Sequence, residues 1–497
     1  MGEPTGAVGR LSARQAIALV TDDFADDFAD DFADGFADGF GHDAGADAAD
    51  DAGAFGPDLG GAPGGIQRPP EPDGPLAWAG YGAARARARE LTGEDESVVH
   101  GTATIGGRSC VLVAFEFGFL GGSLGLAAGD RLVAAYRTAR ERRIPLVSLV
   151  ATGGSRMQEG MVALTQLQRV AAETVRLRES RVPHVTVLRD PATGGGWATV
   201  GAGADVVLAL PTAQVAFAGS RVRPRDADPA AYTAEDQAAH GHVDAIVPPE
   251  ELRGTLSRWI RLLAGGHDPA SADPPAPAPP PRALAGAVPP GTGWEAVGRA
   301  RDPERPRAGA YLDAYFDERA VIRGDRAGGV DPAVECGFGL HRGRVVAYAA
   351  QDGTATRPAG FRTVARLVRL AARLGIPVLT LIDTPGAAND AEAERAGAGP
   401  AIAEAFAAIA EARTPVTSLL IGEGGSGGAL ALAAPGNTWA TPSGYFSVIA
   451  PELAAAILKR DATHVPATAD QLRLRPQDLV ELGVVRGIVG HGEAPSM

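Results

Sequence analysis

The chain carries one arrangement of apolar runs and glycines twice, with the second copy 232 residues after the first. The segment IPLVSLV begins at Ile144, and its counterpart IPVLTLI begins at Ile376. The same spacing separates Pro183 from Pro415, Gly195 from Gly427 and Gly196 from Gly428. Several features in one constant register are hard to produce by chance, so we expect two copies of one structural unit.

Each copy alternates between buried strands and amphipathic helices. The runs of Val, Leu and Ile are short and continuous, which is typical of strands buried on both faces. Between them, residues 161–178 and 401–413 repeat their apolar side chains near every 3.6 residues, as helices do. The pattern predicts an α/β fold in each half, with a mainly parallel sheet covered by helices, and two halves that face one another.

Two segments lack this periodicity. Residues 1–75 hold 16 acidic residues and 3 arginines, and they repeat the unit Asp-(Asp/Gly)-Phe-Ala from Asp22 to Phe40. So much like charge with so little aliphatic content predicts a disordered acidic tail. Residues 265–293 are rich in Pro and Ala and predict a stiff, extended linker. The folded halves are then residues 76–264 and 294–490.

The composition limits the ligands and the compartment. The formal charge of -14 arises almost wholly in the acidic tail, so the near-neutral remainder has no basic face for nucleic acid. Two cysteines, Cys110 and Cys336, are too few for a disulfide framework or a four-cysteine zinc site, and we expect no metal. No apolar run reaches membrane-spanning length and none resembles a signal peptide, so we expect a cytoplasmic protein without a membrane partner.

Each half has two glycine-bearing turns that follow a buried strand and precede a helix. They are Gly153-Gly154 in ATGGSRMQEG, Gly194-Gly195-Gly196 in DPATGGGWA, Pro385-Gly386-Ala387 in IDTPGAA, and Gly424 to Gly428 in GEGGSGGALAL. Glycine lets backbone N–H groups approach a ligand closely, and a following helix adds its positive N-terminal end. The turns therefore predict paired donors for oxyanions, although one such cluster alone is equally well explained as a tight turn.

Two other motifs match these glycines in form only. Gly422-x-Gly424-x-x-Gly427 fits the dinucleotide fingerprint, but no acidic residue follows at the ribose-binding distance. Gly424-x-Ser426-x-Gly428 fits a nucleophile elbow, with His464 and His491 downstream as candidate bases. The counterpart of Ser426 in the first half is Gly194, so the repeat conserves backbone donors and no nucleophile.

At these motifs the sequence resembles a known family. Residues 76–263, with FGFLGGSLG, GGSRMQEGM, DPATGG and HGHVDAIV, resemble the carboxyltransferase beta subunit of bacterial acetyl-CoA carboxylase. Residues 294–489, with IDTPGA, IGEGGSGGALAL and YFSVIAPELAAAILKR, resemble the alpha subunit. The resemblance implies two tandem crotonase-like domains, fused in one biotin-dependent carboxyltransferase that acts on acetyl-CoA or a related short acyl-CoA to give malonyl-CoA for fatty acid or polyketide synthesis.

The resemblance also implies partners and site residues. The partners are acyl-CoA, biotin as carboxybiotin on a separate carrier protein, biotin carboxylase, and a second protomer, since the site forms between the beta-like half of one chain and the alpha-like half of another. The implied thioester donors are Gly153, Gly154, Gly194 and Gly195. The implied ureido donors are Gly386, Ala387, Gly427 and Gly428. Three residues are candidate substrate contacts, namely Gly425, Ser426 and Arg156, and Arg156 alternatively pairs with Glu159.

Several departures from the family leave other functions open. The zinc ribbon that usually precedes the beta-type domain is absent, and Ser155, Gly196 and Trp197 differ from the usual motif. A biotin-independent malonyl-thioester decarboxylase also pairs two crotonase-like halves, and a catalytically inactive carboxylase scaffold is a third reading.

Overall fold

Each half of the chain folds around an eight-stranded mixed sheet, as a computed structural model shows for residues 10–27, 73–265, 275–286 and 288–490. The strands are β1 Asp23–Asp26, β2 Val98–Ile105, β3 Arg108–Phe115, β4 Leu146–Thr152, β5 His184–Thr193, β6 Val206–Ala209, β7 Val215–Ala216, β8 Ala245–Ile246, β9 Glu318–Ile322, β10 Val334–His341, β11 Arg344–Gln351, β12 Val378–Thr384, β13 Val416–Gly425, β14 Thr438–Ala440, β15 Tyr445–Ser447 and β16 Gly487–Ile488. The helices are α1 Ala13–Val20, α2 Tyr81–Thr92, α3 Leu126–Arg142, α4 Gly160–Leu164, α5 Gln166–Glu179, α6 Gly194–Gly196, α7 Ala234–Ala239, α8 Pro249–Ala264, α9 Gly293–Arg301, α10 Ala308–Tyr315, α11 Pro358–Leu374, α12 Ala391–Arg395, α13 Ala398–Glu411, α14 Ser426–Leu430, α15 Pro451–Ile457, α16 Val465–Gln471 and α17 Pro476–Glu481.

The two sheets have the same topology. The first runs β1-β2-β3-β4-β5-β6-β8 with β7 beside β5, and the second runs β9-β10-β11-β12-β13-β14-β16 with β15 beside β13. In both sheets the first three strands pair antiparallel and the others pair parallel. Three elements, α3, β4 and β5, recur as α11, β12 and β13 with both ends displaced by 232 residues. The predicted duplication and α/β class are confirmed.

The acidic tail is ordered at its start, so the boundary at residue 76 was wrong. Helix α1 is capped by Ser12, whose hydroxyl accepts the backbone N–H of Gln15, and it buries Ile17 and Val20 in the core. Strand β1, the first copy of the Asp-Phe repeat, pairs with β2 and gives the first sheet the edge strand that β9 gives the second. The signal was short: four buried side chains on one helix face outweigh an acidic composition locally. The rest of the predicted tail lies outside the described residues.

The Pro/Ala-rich linker is extended where it is described, but it lies against the second half instead of standing free. Ala278 and Ala283 are buried. The carbonyl of Ala278 accepts a hydrogen bond from Thr417 Oγ1 at 2.8 Å, and the N–H of Ala283 donates to the carbonyl of Gly490 at 3.1 Å. Proline fixes this segment in an extended form, and the neighbouring strands then supply its hydrogen-bond partners.

The two halves share a continuous apolar core. Helix α8 of the first half packs on the second sheet, with the rings of Trp259 and Phe338 in edge-to-face contact at a centroid distance of 6.4 Å. Beside this core, the buried carboxylate of Asp244 accepts hydrogen bonds from Arg326 at 2.5 Å and from Arg366 at 3.1 Å, both in the second half. The predicted facing of the two halves is therefore built into the single chain.

Candidate functional site

The two glycine turns of each half lie against each other at the carboxyl ends of adjacent parallel strands. In the first half they follow β4 and β5, and a Cβ atom on Gly194 would lie only 2.9 Å from the Cα of Gly154. In the second half they follow β12 and β13, and a Cβ on Gly428 would lie 2.3 Å from the backbone nitrogen of Ala387. Side chains at these positions would force the turns apart, so glycine is required for the close approach.

The backbone conformation repeats along with the spacing. Gly154 and its counterpart Gly386 have φ values of 107° and 140°, and Gly194 and its counterpart Ser426 have φ values of 64° and 52°. These are left-handed or unusual values that a non-glycine residue adopts only at a cost. Each half therefore builds the same frame, and Ser426 shows that the frame is kept where the side chain disfavours it.

Several of the predicted donors already have acceptors inside the protein. The N–H groups of Gly154 and Gly386 donate to the hydroxyls of Thr152 and Thr384 at 3.0 and 3.2 Å. The N–H of Gly153 donates to the carbonyl of Gly121 at 2.8 Å, and the N–H of Gly194 donates to the carbonyl of Phe217 at 3.1 Å. Each N–H carries one proton, so these four glycines shape the turns and do not present their amides to a ligand.

The N–H groups without an acceptor among the described residues occupy equivalent places in the two halves. They are those of Ser155, Gly195 and Gly196 in the first half, and of Ala387, Gly427 and Gly428 in the second. The first N–H groups of a helix have no intrahelical acceptor, which accounts for the four glycines. Helices α6 and α14 are only 3 and 5 residues long, so their macrodipoles add little, and the amides themselves are the anion-binding groups.

Ser155 is the functional candidate that the sequence reasoning missed. Its bridge to Leu124 leaves its own N–H unused, in the way that the bridge between Thr356 and Ala387 leaves the N–H of Ala387 unused. The signal was present, because Ser155 precedes Ala387 by the repeat spacing of 232 residues. Two different side chains at this position hid an equivalence that concerns only the backbone.

The second site is open on the side of Gly427. A Cβ atom built on Gly427 meets no atom within 4 Å, and the Cβ of Ser426 next to it belongs to an exposed residue. Gly425 is closed off instead, since a Cβ there would lie 1.9 Å from the carbonyl oxygen of Pro385. The ligand-facing part of this turn is therefore residues 426–428, with the N–H of Ala387 beside them.

Arg156 is held within the protein, as the pairing alternative required. It is 1% exposed, and it forms an ion pair with Glu96 and a second pair with Glu159 at 3.4 Å. Its Nε and Nη2 also donate to the hydroxyl and the carbonyl of Ser123 at 3.2 and 2.7 Å, and Nη1 donates to Tyr81 Oη at 3.2 Å. All three nitrogens are used, so Arg156 anchors the first turn and does not face a CoA phosphate.

This network perturbs its own ionisable groups. Burial raises the pKa of Glu96, but the hydrogen bonds and charge of Arg156 outweigh it and hold the pKa of that carboxyl below its usual range. Burial and the neighbouring Glu159 raise the pKa of Tyr81, whose hydroxyl donates to Glu159 Oε1 at 2.5 Å, against the opposing charge of Arg156. The group therefore acts as a fixed anchor and does not titrate near neutral pH.

The nucleophile-elbow alternative gains no catalytic base. The ring nitrogen Nδ1 of His464 lies 2.8 Å from Asp461 Oδ1 on an exposed turn, and His491 lies outside the described residues. No hydrogen bond joins Ser426 Oγ to a histidine anywhere in the described part of the chain. The same part holds no group of three or more His, Cys, Asp or Glu residues arranged to bind a metal ion, and none of its helices is long and apolar enough to cross a membrane.

The fold and the two backbone-amide sites define a carboxyltransferase with two crotonase-like halves. Residues 291–494 match the family described as acetyl co-enzyme A carboxylase carboxyltransferase-like, and residues 79–246 match the carboxyl transferase domain family. The chain is 42% identical over 424 residues to "Acetyl-coenzyme A carboxylase carboxyl transferase subunits beta/alpha" of Salinispora tropica, covering 81% of this chain and 74% of that one. It is 35% identical over 425 residues to "Probable biotin-dependent acyl-coenzyme A carboxylase beta3 subunit" of Mycobacterium tuberculosis, covering 82% and 83%.

Solved structures give the same fold. Transcarboxylase 12S, solved as a hexamer with methylmalonyl-coenzyme A, has a TM-score of 0.67 at 20% identity over 80% of this chain and 79% of that one. A single-chain, multi-domain long-chain acyl-CoA carboxylase has a TM-score of 0.70 at 18% identity over 97% of this chain and 46% of that one. The chain belongs to the acetyl-coenzyme A carboxylase carboxyl transferase family in its fused beta/alpha form, which confirms the resemblance seen in the sequence.

Proposed function

We propose that this chain moves CO2 from carboxybiotin to the α carbon of acetyl-CoA or a related short acyl-CoA, giving malonyl-CoA for fatty acid or polyketide synthesis. The observation that carries the proposal is the pair of equivalent sites, each with unsatisfied backbone N–H groups. Its names and motifs place the chain in a family of biotin-dependent carboxyl transferases.

Two anion-binding sites are what this reaction needs. The α carbon loses a proton and forms a bond to CO2, and between these events negative charge lies on the thioester oxygen. On the other side, the ureido oxygen of biotin carries negative charge when its N–CO2 bond breaks, and the ureido group takes up the α proton. Fixed N–H donors aimed at developing charge are usually the largest contribution to catalysis, and losing one typically costs about 2.7–4 kcal/mol.

In this proposal the first half holds the thioester oxygen and the second half holds the ureido oxygen. The donors on the thioester side are the N–H groups of Ser155 and Gly195, with Gly153, Gly154 and Gly194 shaping the turn. The open cradle at Gly427 fits the ureido group, because it combines free donors with unfilled space.

On the ureido side the donors are Ala387, Gly427 and Gly428, while Gly386 and Gly425 set the turn and Ser426 borders it. Because the proton leaves the acyl-CoA for the ureido group, this scheme requires no protein side chain as the base. That accords with the lack of a Ser-His pair at Ser426 among the described residues.

We further propose a cytoplasmic assembly that works with a biotin carboxyl carrier protein and a biotin carboxylase. In a homodimer, the first half of one protomer would meet the second half of the other, which brings a thioester site and a ureido site together. Inside one chain the halves are joined through α8 and the second sheet, which leaves both pairs of glycine turns at the ends of their strands.

The test is a decarboxylation assay on the purified full chain with malonyl-CoA or methylmalonyl-CoA, with and without free biotin or biotinylated carrier. Turnover that depends on biotin is the expected result. Turnover at the same rate without biotin would instead assign the chain as a malonyl-thioester decarboxylase. No turnover, together with tight binding to a carboxylase complex, would assign it as an inactive scaffold.

A further inference from the structure

A buried aspartate lies between the two strands that carry the ureido-side turns. Strands β12 and β13 pair in register from Val378 to Ile382, and then the register shifts, so that Thr384 pairs with Gly424. Asp383 is the residue at the shift, opposite residues 421–423 of β13. A bulge of this kind leaves backbone groups without their ladder partners, and something else must satisfy them.

The carboxylate of Asp383 fills that role. Its Oδ1 accepts the backbone N–H of Glu423 at 3.0 Å, which ties the end of β12 to the end of β13. Both of its oxygens accept hydrogen bonds from Arg305 Nη2, at 2.6 and 2.7 Å, and Arg307 lies 3.3 Å away. The side chain of Asp383 is 0% exposed and that of Arg305 is 4% exposed, so the pair is not screened by water.

The neighbouring residues are fitted to this pair. A Cβ atom on Gly422 would lie 2.3 Å from Arg305 Nη2 and 2.4 Å from Asp383 Oδ1, so glycine leaves the space that the ion pair occupies. One residue beyond Asp383, the hydroxyl of Thr384 donates to the carbonyls of Gly386 and Thr354, both at 2.8 Å. The aspartate is thus continuous, through one residue, with the turn that presents the N–H of Ala387.

The device is confined to the second half. The first half has the same register shift between Val150 and Thr152, but the residue at the shift is Ala151, which has no carboxylate. The two sites therefore share a backbone frame and differ in what holds that frame rigid. A difference that separates two otherwise equivalent anion sites is a candidate for a functional one.

We propose that Asp383, held by Arg305, is a positioning residue for the ureido-side oxyanion site. It fixes the turn at Gly386-Ala387 against the turn at Gly425 to Gly428, so that the free N–H groups keep the geometry that a charged oxygen requires. This inference rests on the proposed function, because it assigns Asp383 to the half that receives carboxybiotin.

Asp383→Asn in the full chain is the direct test, with Asp244→Asn as the matched control. Asp244 is also a fully buried aspartate held by two arginines and two backbone N–H groups, but it joins the two halves far along the chain from either pair of turns. The assay is biotin-dependent decarboxylation of malonyl-CoA. We expect Asp383→Asn to lower kcat at least tenfold with the KM for malonyl-CoA unchanged, and Asp244→Asn to change kcat less than twofold.

A second variant covers the case in which Asp383→Asn does not fold. Arg305→Lys keeps the charge but not the bond to both oxygens, and we expect an intermediate loss of kcat at an unchanged KM for malonyl-CoA. Equal kcat values for wild type and Arg305→Lys, or equal losses in the Asp383 and Asp244 variants, would overturn the proposal. A rise in the KM for malonyl-CoA would also overturn it, because that would place the effect on the thioester side.

Amide hydrogen exchange separates this inference from the proposed function. Peptides that span residues 384–388 and 424–429 should exchange faster in Asp383→Asn than in wild type, and should be unchanged in Asp244→Asn. This readout does not need turnover, so it remains decisive if the wild-type chain proves inactive with biotin. Unchanged exchange at both peptides would show that Asp383 does not hold the turns.

Discussion

Replacement of Gly427 by leucine should block the ureido-side site without harming the fold. A Cβ atom at this position meets no protein atom within 4 Å, and its φ lies outside the left-handed region, so the backbone accepts a side chain. Leucine is a better helix former than glycine by up to about 1 kcal/mol, so the variant should be at least as stable as wild type. The side chain instead fills the space in which the ureido oxygen would meet the N–H donors.

The expected loss follows from the number of donors that are blocked. Removal of one oxyanion donor typically costs about 2.7–4 kcal/mol, or a factor of about 10²–10³ in rate, and an obstructed cradle should cost no less. The assay is kcat/KM for biotin-dependent decarboxylation of malonyl-CoA, with the Tm measured by calorimetry on the same preparation. We expect a drop of at least about 100-fold at an unchanged or higher Tm.

Gly254→Leu is the matched control. Gly254 lies in α8, is exposed, and also has no atom within 4 Å of a built Cβ, but it is not part of either site. The same substitution there should leave kcat/KM unchanged. If Gly427→Leu keeps wild-type kcat/KM, the assignment of this turn to the reacting groups is refuted.

Three further predictions concern stability. Arg156→Leu leaves Glu96 buried without its partner, and urea titration should show a loss of about 3–5 kcal/mol in the free energy of unfolding. Burial lowers the pKa of His184 from 6.5 to about 4, so the unfolded chain takes up a proton in this window that the folded chain refuses. The free energy of unfolding should therefore fall as the pH is lowered from 6.5 to 4, by up to about 3 kcal/mol, and a His184→Gln variant should lack that part of the slope. Deletion of residues 10–27 uncovers the apolar face that Ile17 occupies, so the Tm should fall by several degrees, whereas a wild-type Tm would show that α1 and β1 add nothing.

The parts of the fold that were predictable are those in which local pattern and burial agree. Strands β4, β5, β12 and β13 are continuous apolar runs buried on both faces, and the repeat spacing placed each against its counterpart. The edge strand β1 has the exposed, acidic sequence DFAD, and its place depends on pairing with β2, far along the chain. No periodicity within four residues carries that information.

The limits at the site have a similar cause. Sequence spacing identified all four turns, but which N–H groups remain free depends on acceptors such as the hydroxyl of Thr152 and the carbonyl of Phe217. Arg156 had an obvious neighbour in Glu159, yet its closest partner is Glu96, 60 residues away in sequence. Hydrogen-bond partners of this kind are set by the tertiary fold, so a motif locates the turn and not the role of each of its residues.

A duplicated fold that binds two different anions must keep one geometry and vary what surrounds it. The geometry is kept by the backbone, since Gly154 and Gly386 share a conformation that side chains disfavour, as do Gly194 and Ser426. The variation lies one layer behind. The first turn is anchored by the buried pair of Arg156 and Glu96, which comes from the loop side, whereas the second is anchored by Asp383 at the strand bulge. Because the anchors differ, each site can be tuned to its own oxyanion without disturbing the amides of the other, and this separation is what two dissimilar substrates in one reaction require.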